Sequence, residues 1–158
     1  MFGAETGEFF IHRNIANLIP PYNPDGDHHG TSAAIEFAVS ALEIPNIIIL
    51  GHSNCGGIKN GYYLCKGENN NNDLIFVNKW LNILQPAYDS LNQLSDDNQM
   101  ISQLEKESIK VSIKNLLDFP FIQQALDSTQ LSIHGLWNDI GSGELEILVP
   151  ETMMFKSI

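Results

Sequence analysis

The sequence predicts an α/β fold, with a mainly parallel sheet flanked by helices and a C-terminal antiparallel strand. Residues 47–50 are four aliphatic residues in a row, which is typical of a strand buried on both faces of a parallel sheet. Segments of helical periodicity separate this strand from the next. Residues 131–137 alternate as a strand does, and Gly141-Ser142-Gly143 joins them to residues 145–149, which predicts a terminal antiparallel hairpin.

Length and composition indicate one globular domain over residues 1–158. Hydrophobic residues make up 43% and charged residues 17% of the chain, which is ordinary for a soluble protein. The formal net charge of −11 argues against a nucleic acid or an anionic membrane as partner, because both are polyanions. The chain shows no signal-peptide pattern and no long apolar run, and it has two cysteines, so we expect a cytoplasmic protein.

The N-terminal third predicts a strand, a loop and a helix, in that order. Residues 9–11 are the apolar centre of a short strand, and residues 20–26 form a loop rich in proline. A helix over residues 33–42 follows, with Thr31 or Ser32 as its N-cap. Small residues along one face of this helix would let it approach a sheet closely.

The motif GHSNCGG, residues 51–57, directly follows the aliphatic strand. His52 and Cys55 therefore lie at the C-terminal end of a buried strand, where open α/β sheets bind their ligands. Imidazole and thiolate suit zinc better than magnesium or calcium. A helix beginning near Gly56 would place its positive end beside Cys55 and favour the thiolate. Zinc takes at least three ligands from a protein, so spacing alone leaves open a loop that binds no metal.

Helices are predicted through the second half of the chain. Phe76, Trp80 and other apolar residues mark one face of a helix that is kinked or interrupted near Pro86. A long helix over residues 101–117 has a broad apolar surface, which suits contact with a sheet and with a second layer. A short helix over residues 122–126 follows it.

Three other side chains are candidates for a metal site, and His134 is not counted among them. Adjacent loop histidines such as His28 and His29 rarely point the same way, which favours a solvated or hydrogen-bonded role. Cys65 would need a backbone rearrangement to join His52 and Cys55, so an inert buried thiol is the better interpretation. His134 has the position of a strand residue with a hydrogen-bonded ring.

Four segments, taken together, resemble the β-class carbonic anhydrases, especially the branch that includes the plant enzymes. The segments are residues 7–17, 30–39, 51–59 and 135–145. The resemblance covers nearly the whole chain and implies a β-carbonic-anhydrase-like fold that binds Zn²⁺ and reversibly hydrates carbon dioxide to bicarbonate, as a homo-oligomer. It implies that His52 and Cys55 are metal ligands. It also implies a substrate pocket lined by Phe10, Ile15, Phe37 and Gly56.

One family segment has no counterpart in this sequence. The family carries Cys-x-Asp-x-Arg upstream of the residue 7–17 segment, which supplies a further zinc ligand and an Asp/Arg dyad, and no such pattern occurs here. We therefore expect an N-terminally truncated domain, without the first strand and N-terminal helices, in which carbon dioxide hydration is impaired. Two alternatives remain. One is a metal-poor, inactive relative that acts as an oligomerising or binding module. The other is a different zinc or thiol site that uses Cys65 or His28 and His29.

Overall fold

The computed structural model describes residue 3 and residues 5–26, 29–68, 73–92 and 96–158. The α-helices are α1 (Gly30–Glu36), α2 (Gly56–Lys66), α3 (Ile75–Leu81), α4 (Gln85–Asp89), α5 (Asp97–Leu117) and α6 (Pro120–Asp127). The strands are β1 (Asn46–His52), β2 (Ser132–Asn138), β3 (Leu145–Val149) and β4 (Met154–Ser157). Short 3₁₀ turns lie at Ile15–Asn17 and Asn82–Leu84, and a π-helical turn, Phe37–Ala41, continues α1. Within the described ranges, no helix has the length and apolar character needed to cross a membrane.

The strands form one mixed sheet in the order β1-β2-β3-β4. The β1 and β2 strands are parallel, whereas β2 with β3 and β3 with β4 are antiparallel. The predicted α/β class is confirmed, with a larger antiparallel share than we expected. The additional strand is β4, which the sequence did not indicate because residues 154–157 lack a clear alternation of apolar and polar residues.

The N-terminal expectations are corrected in two places. Residues 9–11 form no strand: they are irregular and exposed, and Ile11 is 75% exposed. The sheet ends at β1, so this segment has no strand beside it to pair with. The first helix begins at Gly30 with His29 at its N-cap position, and neither Thr31 nor Ser32 caps it.

The predictions for the central elements are confirmed. Residues 47–50 lie inside β1, and α2 begins at Gly56. Pro86 lies in the first turn of α4, directly after a 3₁₀ turn that interrupts the preceding helix. The long helix α5 begins at Asp97, earlier than expected, because the side chain of Asp96 accepts a hydrogen bond from the backbone N–H of Asn98 and caps the helix.

Helix α5 contributes to two clusters of buried apolar residues that form the core. Ile101 and Leu104 belong to the first cluster, and Ile109 and Leu116 belong to the second. A Cβ added at Gly51 of β1, or at Gly135 of β2, would lie 2.8 Å from Ile109, so α5 touches the backbone of both strands. The predicted contact of this helix with the sheet on one side and another layer on the other is confirmed. One helical turn before Ile109, on the same face, Glu105 comes to lie beside the loop after β1.

Candidate metal centre

His52 is the last residue of β1 and lies opposite Asn138, the last residue of β2. Its Nδ1 atom is 2.9 Å from the carbonyl oxygen of Ser53. A carbonyl oxygen only accepts hydrogen bonds, so in the neutral ring Nδ1 carries the proton and Nε2 keeps its lone pair. A second hydrogen bond of this kind is how proteins orient a metal-binding histidine. His52 is therefore prepared to bind a metal through Nε2.

Ser53 ties the end of β1 to the end of β2. Its backbone N–H donates to the carbonyl oxygen of Asn138 at 2.8 Å, and its hydroxyl donates to Oδ1 of Asp139 at 2.9 Å. The same hydroxyl accepts the N–H of Ile140 at 2.9 Å. Hydrogen bonds from the Gly141 N–H and from Ser53 hold the pKa of Asp139 below its usual range. Ser53, one of the two residues between the predicted ligands, is thus fixed to the end of β2.

Asn54 turns the chain from β1 into α2. Its φ is 57°, in the left-handed region, where Asn is tolerated better than most residues. The reversal places Cys55 at the N-cap of α2, where it is 6% exposed. The positive end of the helix therefore lies at Cys55, as the sequence predicted.

Glu105 is a buried acid that approaches this loop from α5. It is 3% exposed, and its Oε1 atom accepts the backbone N–H of Cys55 at 3.0 Å. Burial raises the pKa of Glu105, and the hydrogen bond from Cys55 and the nearby indole of Trp137 oppose part of the rise. Sequence reasoning missed this residue. Its signal is a glutamate at helical spacing from Ile101 and Ile109, within the apolar face of α5.

Two further buried polar atoms lie at the same end of the sheet. Among the described residues, Trp137 Nε1 and Asn138 Oδ1 make no hydrogen bond that meets distance and angle criteria. Both belong to the last two residues of β2, and Asn138 is the register partner of His52. The Trp137 indole interacts with the Glu105 carboxyl, so the buried polar groups at this end of the sheet lie next to that acid.

Of the four residues predicted to line a substrate pocket, Phe10 and Phe37 contact each other, Ile15 contacts helix α2, and Gly56 borders open space. The ring centroids of Phe10 and Phe37 are 6.0 Å apart, and these side chains are 47% and 52% exposed. Ile15 packs on the first turn of α2, where a Cβ added at Gly57 would lie 2.8 Å from its Cγ2 atom. The space around Gly56 is open. The structure thus shows apolar surface at these residues, and their role as a substrate pocket stays a prediction.

The other metal candidates within the described residues do not join His52 and Cys55. Over the described ranges, no three His, Cys, Asp or Glu side chains are placed to hold one metal ion. Cys65 lies within α2, and burial, helped by Asp89, raises its pKa to about 11. His134 Nε2 is 3.1 Å from Oδ1 of Asn46, a hydrogen-bonded ring as predicted. His28 lies outside the described residues, and His29 precedes α1.

The donor types at the end of β1 are those of zinc sites, but among the described residues they supply two of the three or more ligands that zinc takes from a protein. They are an imidazole whose Nε2 is available and a buried thiol at a helix N-terminus, and the Glu105 carboxylate accepts the backbone N–H of that cysteine. His52 and Cys55 would hold the metal.

Comparison with known proteins identifies the family of this chain. The carbonic anhydrase family profile matches residues 1–145. Beta carbonic anhydrase 3 of Arabidopsis thaliana is 35% identical over 147 residues, which is 90% of this chain and 56% of that protein. Beta carbonic anhydrase 5, chloroplastic, of the same plant is 35% identical over 138 residues, 85% of this chain and 44% of that protein. The chain spans about half the length of these curated relatives.

Solved structures show the same fold. The β-carbonic anhydrase CcaA is 31% identical, with a TM-score of 0.80 over 98% of this chain and 69% of that one. A β-carbonic anhydrase of Sordaria macrospora, described as tetrameric, is 28% identical, with a TM-score of 0.74 over 92% of this chain and 71% of that one. From the profile, the identities and the fold together, this chain belongs to the carbonic anhydrase family, in its β class.

Proposed function

We propose that the function of this chain is the zinc-dependent reversible hydration of carbon dioxide, with His52 and Cys55 as two of the metal ligands, and that the activity is impaired because the family's Cys-x-Asp-x-Arg pattern does not occur in this sequence. The observation that carries the proposal is the orientation of His52, whose Nδ1 is engaged by the Ser53 carbonyl and whose Nε2 is free to bind. Family membership supports the reaction. Zinc, when bound, supplies the Lewis acidity that lowers the pKa of water from about 15.7 to about 7.

The chain's own residues contribute orientation and shielding. Ser53, fixed to Asp139 and Asn138, holds the direction of the ligand loop. The sulfur of Cys55, at the N-cap of α2, would bind the metal as the thiolate. The apolar side chains of Phe10 and Phe37 offer a surface on which a small apolar gas can rest.

Zinc content and carbon dioxide hydration, measured together, test the proposal. The purified chain is loaded with zinc and dialysed, its metal is counted, and hydration is followed by stopped flow at neutral pH. We expect His52→Ala and Cys55→Ser to lower zinc affinity by more than about tenfold and to lose activity with the metal. Cys65→Ser is the matched control and should behave as the unmodified chain. Equal zinc content and equal rates for Cys55→Ser and the unmodified chain would remove Cys55 from the site.

A second candidate function is an inactive relative that acts as an oligomerising or binding module. Exposed apolar side chains at Phe9, Phe10, Ile11 and Phe37 favour it, because a contiguous apolar surface is typical of an interface. The same experiment separates the two: a chain that neither retains zinc nor hydrates carbon dioxide supports the metal-poor module. We also propose a homo-oligomer, in keeping with the tetrameric relative, which light scattering of the purified chain tests.

A further inference from the structure

We propose that Glu105 is a positioning residue for Cys55: its buried side chain holds the Cys55 backbone N–H and so fixes the direction in which the thiol leaves the chain. The metal-binding role of Cys55 comes from the proposed function, whereas the contact between Glu105 and Cys55 does not depend on it. The contact joins α5 to the ligand loop across 50 residues of sequence, with 3.0 Å between Cys55 N and Glu105 Oε1.

The first argument is that Glu105 has little freedom to move. Its neighbours Leu104, Ser108 and Ile109 are fully buried, and the Ser108 hydroxyl donates to the Glu105 carbonyl oxygen at 2.8 Å. Ile109 also packs against the backbone of β1 at Gly51. The acceptor for the Cys55 N–H is therefore built into the face of α5 that touches the sheet, which is a more rigid support than a loop side chain gives.

The second argument concerns the partners of the Glu105 carboxyl. Among the ion pairs of the described residues, none includes Glu105, although a buried carboxylate ordinarily has a basic partner. It accepts a hydrogen bond instead from the backbone of a predicted metal ligand, and the indole of Trp137 and the imidazole of His52 also interact with it. A carboxylate beside the two ligands suits a site that binds a divalent cation.

The third argument is that Cys55 lacks other support of this kind. As N-cap of α2 it makes no side-chain capping bond, so its thiol is left free and its conformation depends on the backbone. The preceding Asn54 is in the left-handed region, and Ser53 is fixed by Asp139. The loop of residues 53–55 is thus held at both ends, by Asp139 at Ser53 and by Glu105 at Cys55.

Hydrogen exchange of the Cys55 amide, in the metal-free chain labelled with ¹⁵N-cysteine, tests the positioning directly. The Cys65 amide inside α2 is the internal control. We expect Glu105→Ala to speed exchange at Cys55 by about tenfold or more and to leave Cys65 unchanged. Glu105→Gln keeps an acceptor oxygen and should keep the protection. Glu107→Ala is the matched control, because Glu107 pairs with Lys110 on the same helix.

A second readout uses Co²⁺ alone, whose thiolate charge-transfer band reports on Cys55. We expect Glu105→Ala to weaken Co²⁺ binding by about 10–100-fold, and Glu105→Gln to restore most of it. Should Glu105→Ala fail to fold, Glu105→Asp, which withdraws the carboxylate by one methylene, should expose the Cys55 amide more than Glu105→Gln does.

The outcomes separate this inference from the proposed function. Unchanged exchange at Cys55 in a folded Glu105→Ala chain overturns the inference, as does a Glu105→Asp chain as protected as the unmodified one. The expected exchange pattern without any cobalt–thiolate band in the unmodified chain supports the positioning of Cys55 and contradicts the metal-binding function.

Discussion

The Ser53 hydroxyl donates to Oδ1 of Asp139 at 2.9 Å, joining two residues that lie 86 positions apart in the sequence. Ser53 follows the last residue of β1, and Asp139 follows the last residue of β2. Because Asp139 also accepts the Gly141 N–H at 2.8 Å, one carboxylate orders both the ligand loop and the turn after β2. The parallel register of β1 and β2 brings Ser53 and Asp139 together, because His52 lies opposite Asn138.

This pair predicts a specific pH dependence of folding. The pKa of Asp139 is lowered from 3.8, chiefly by the Gly141 N–H and then by Ser53, so the ionised form stabilises the folded chain at pH values above about 4. That stability is lost as the pH falls through the folded-state value. We expect Asp139→Asn to flatten the decline in unfolding free energy below pH 4, measured by urea unfolding. Asp118→Asn, exposed at the end of α5, is the control, and identical acid profiles for the two variants would contradict the prediction.

Two adjacent glycines at the start of α2 should respond in opposite ways to alanine. A Cβ at Gly57 would lie 2.8 Å from Ile15 Cγ2 and 3.1 Å from the Ala16 backbone nitrogen, whereas the space at Gly56 is open. We expect Gly57→Ala to lower the free energy of unfolding by about 1–3 kcal/mol through overpacking. Gly56→Ala should be neutral or stabilising by up to about 1 kcal/mol, because alanine favours the helix. Chemical denaturation measures both, and equal losses would argue against this packing of the Ile15–Asn17 turn on α2.

The left-handed conformation of Asn54 can be tested by two substitutions. At a φ of 57°, glycine is unstrained, while alanine brings its Cβ close to the carbonyl oxygen. We expect Asn54→Gly to retain the stability of the chain within about 0.5 kcal/mol, and Asn54→Ala to lose about 1–2 kcal/mol. Thermal unfolding gives both values. Two variants of equal stability would show that the chain reaches Cys55 by a different backbone path.

The half-buried thiol of Cys65 should react slowly with alkylating reagents. Burial, with a contribution from Asp89, raises its pKa from 9.0 to about 11, so at pH 8 the thiolate fraction falls about 100-fold. The Cys55→Ser chain isolates Cys65, since the sequence has two cysteines. Iodoacetamide labelling, followed by mass spectrometry, should proceed at roughly one hundredth of the rate of an unfolded control. Comparable rates in folded and unfolded chains would contradict the burial of this thiol.

Local sequence predicted those parts of the site that depend on short-range patterns. The aliphatic run at residues 47–50 is enough to define β1, and its end places His52 and Cys55 beside the start of α2. The alternation in residues 131–137 similarly defines β2. These strands could be predicted because a strand buried on both faces has a continuous apolar run, and a strand buried on one face alternates apolar and polar residues.

Contacts between distant segments could not be predicted in the same way. Glu105 meets Cys55 only because α5 packs across β1, and no spacing in the sequence encodes that crossing. Residues 9–11 have the composition of a strand, yet a strand exists only where a neighbour pairs with it. The apolar character of Phe10 was read correctly, while its exposure depends on what lies next to it in space.

One edge of β1 is open to pairing in the described sheet. In the described sheet, β1 carries His52 and is also an outermost strand, with no strand along its other side. A polypeptide that paired with this edge would run about 4.8 Å from β1, alongside the strand that ends in His52.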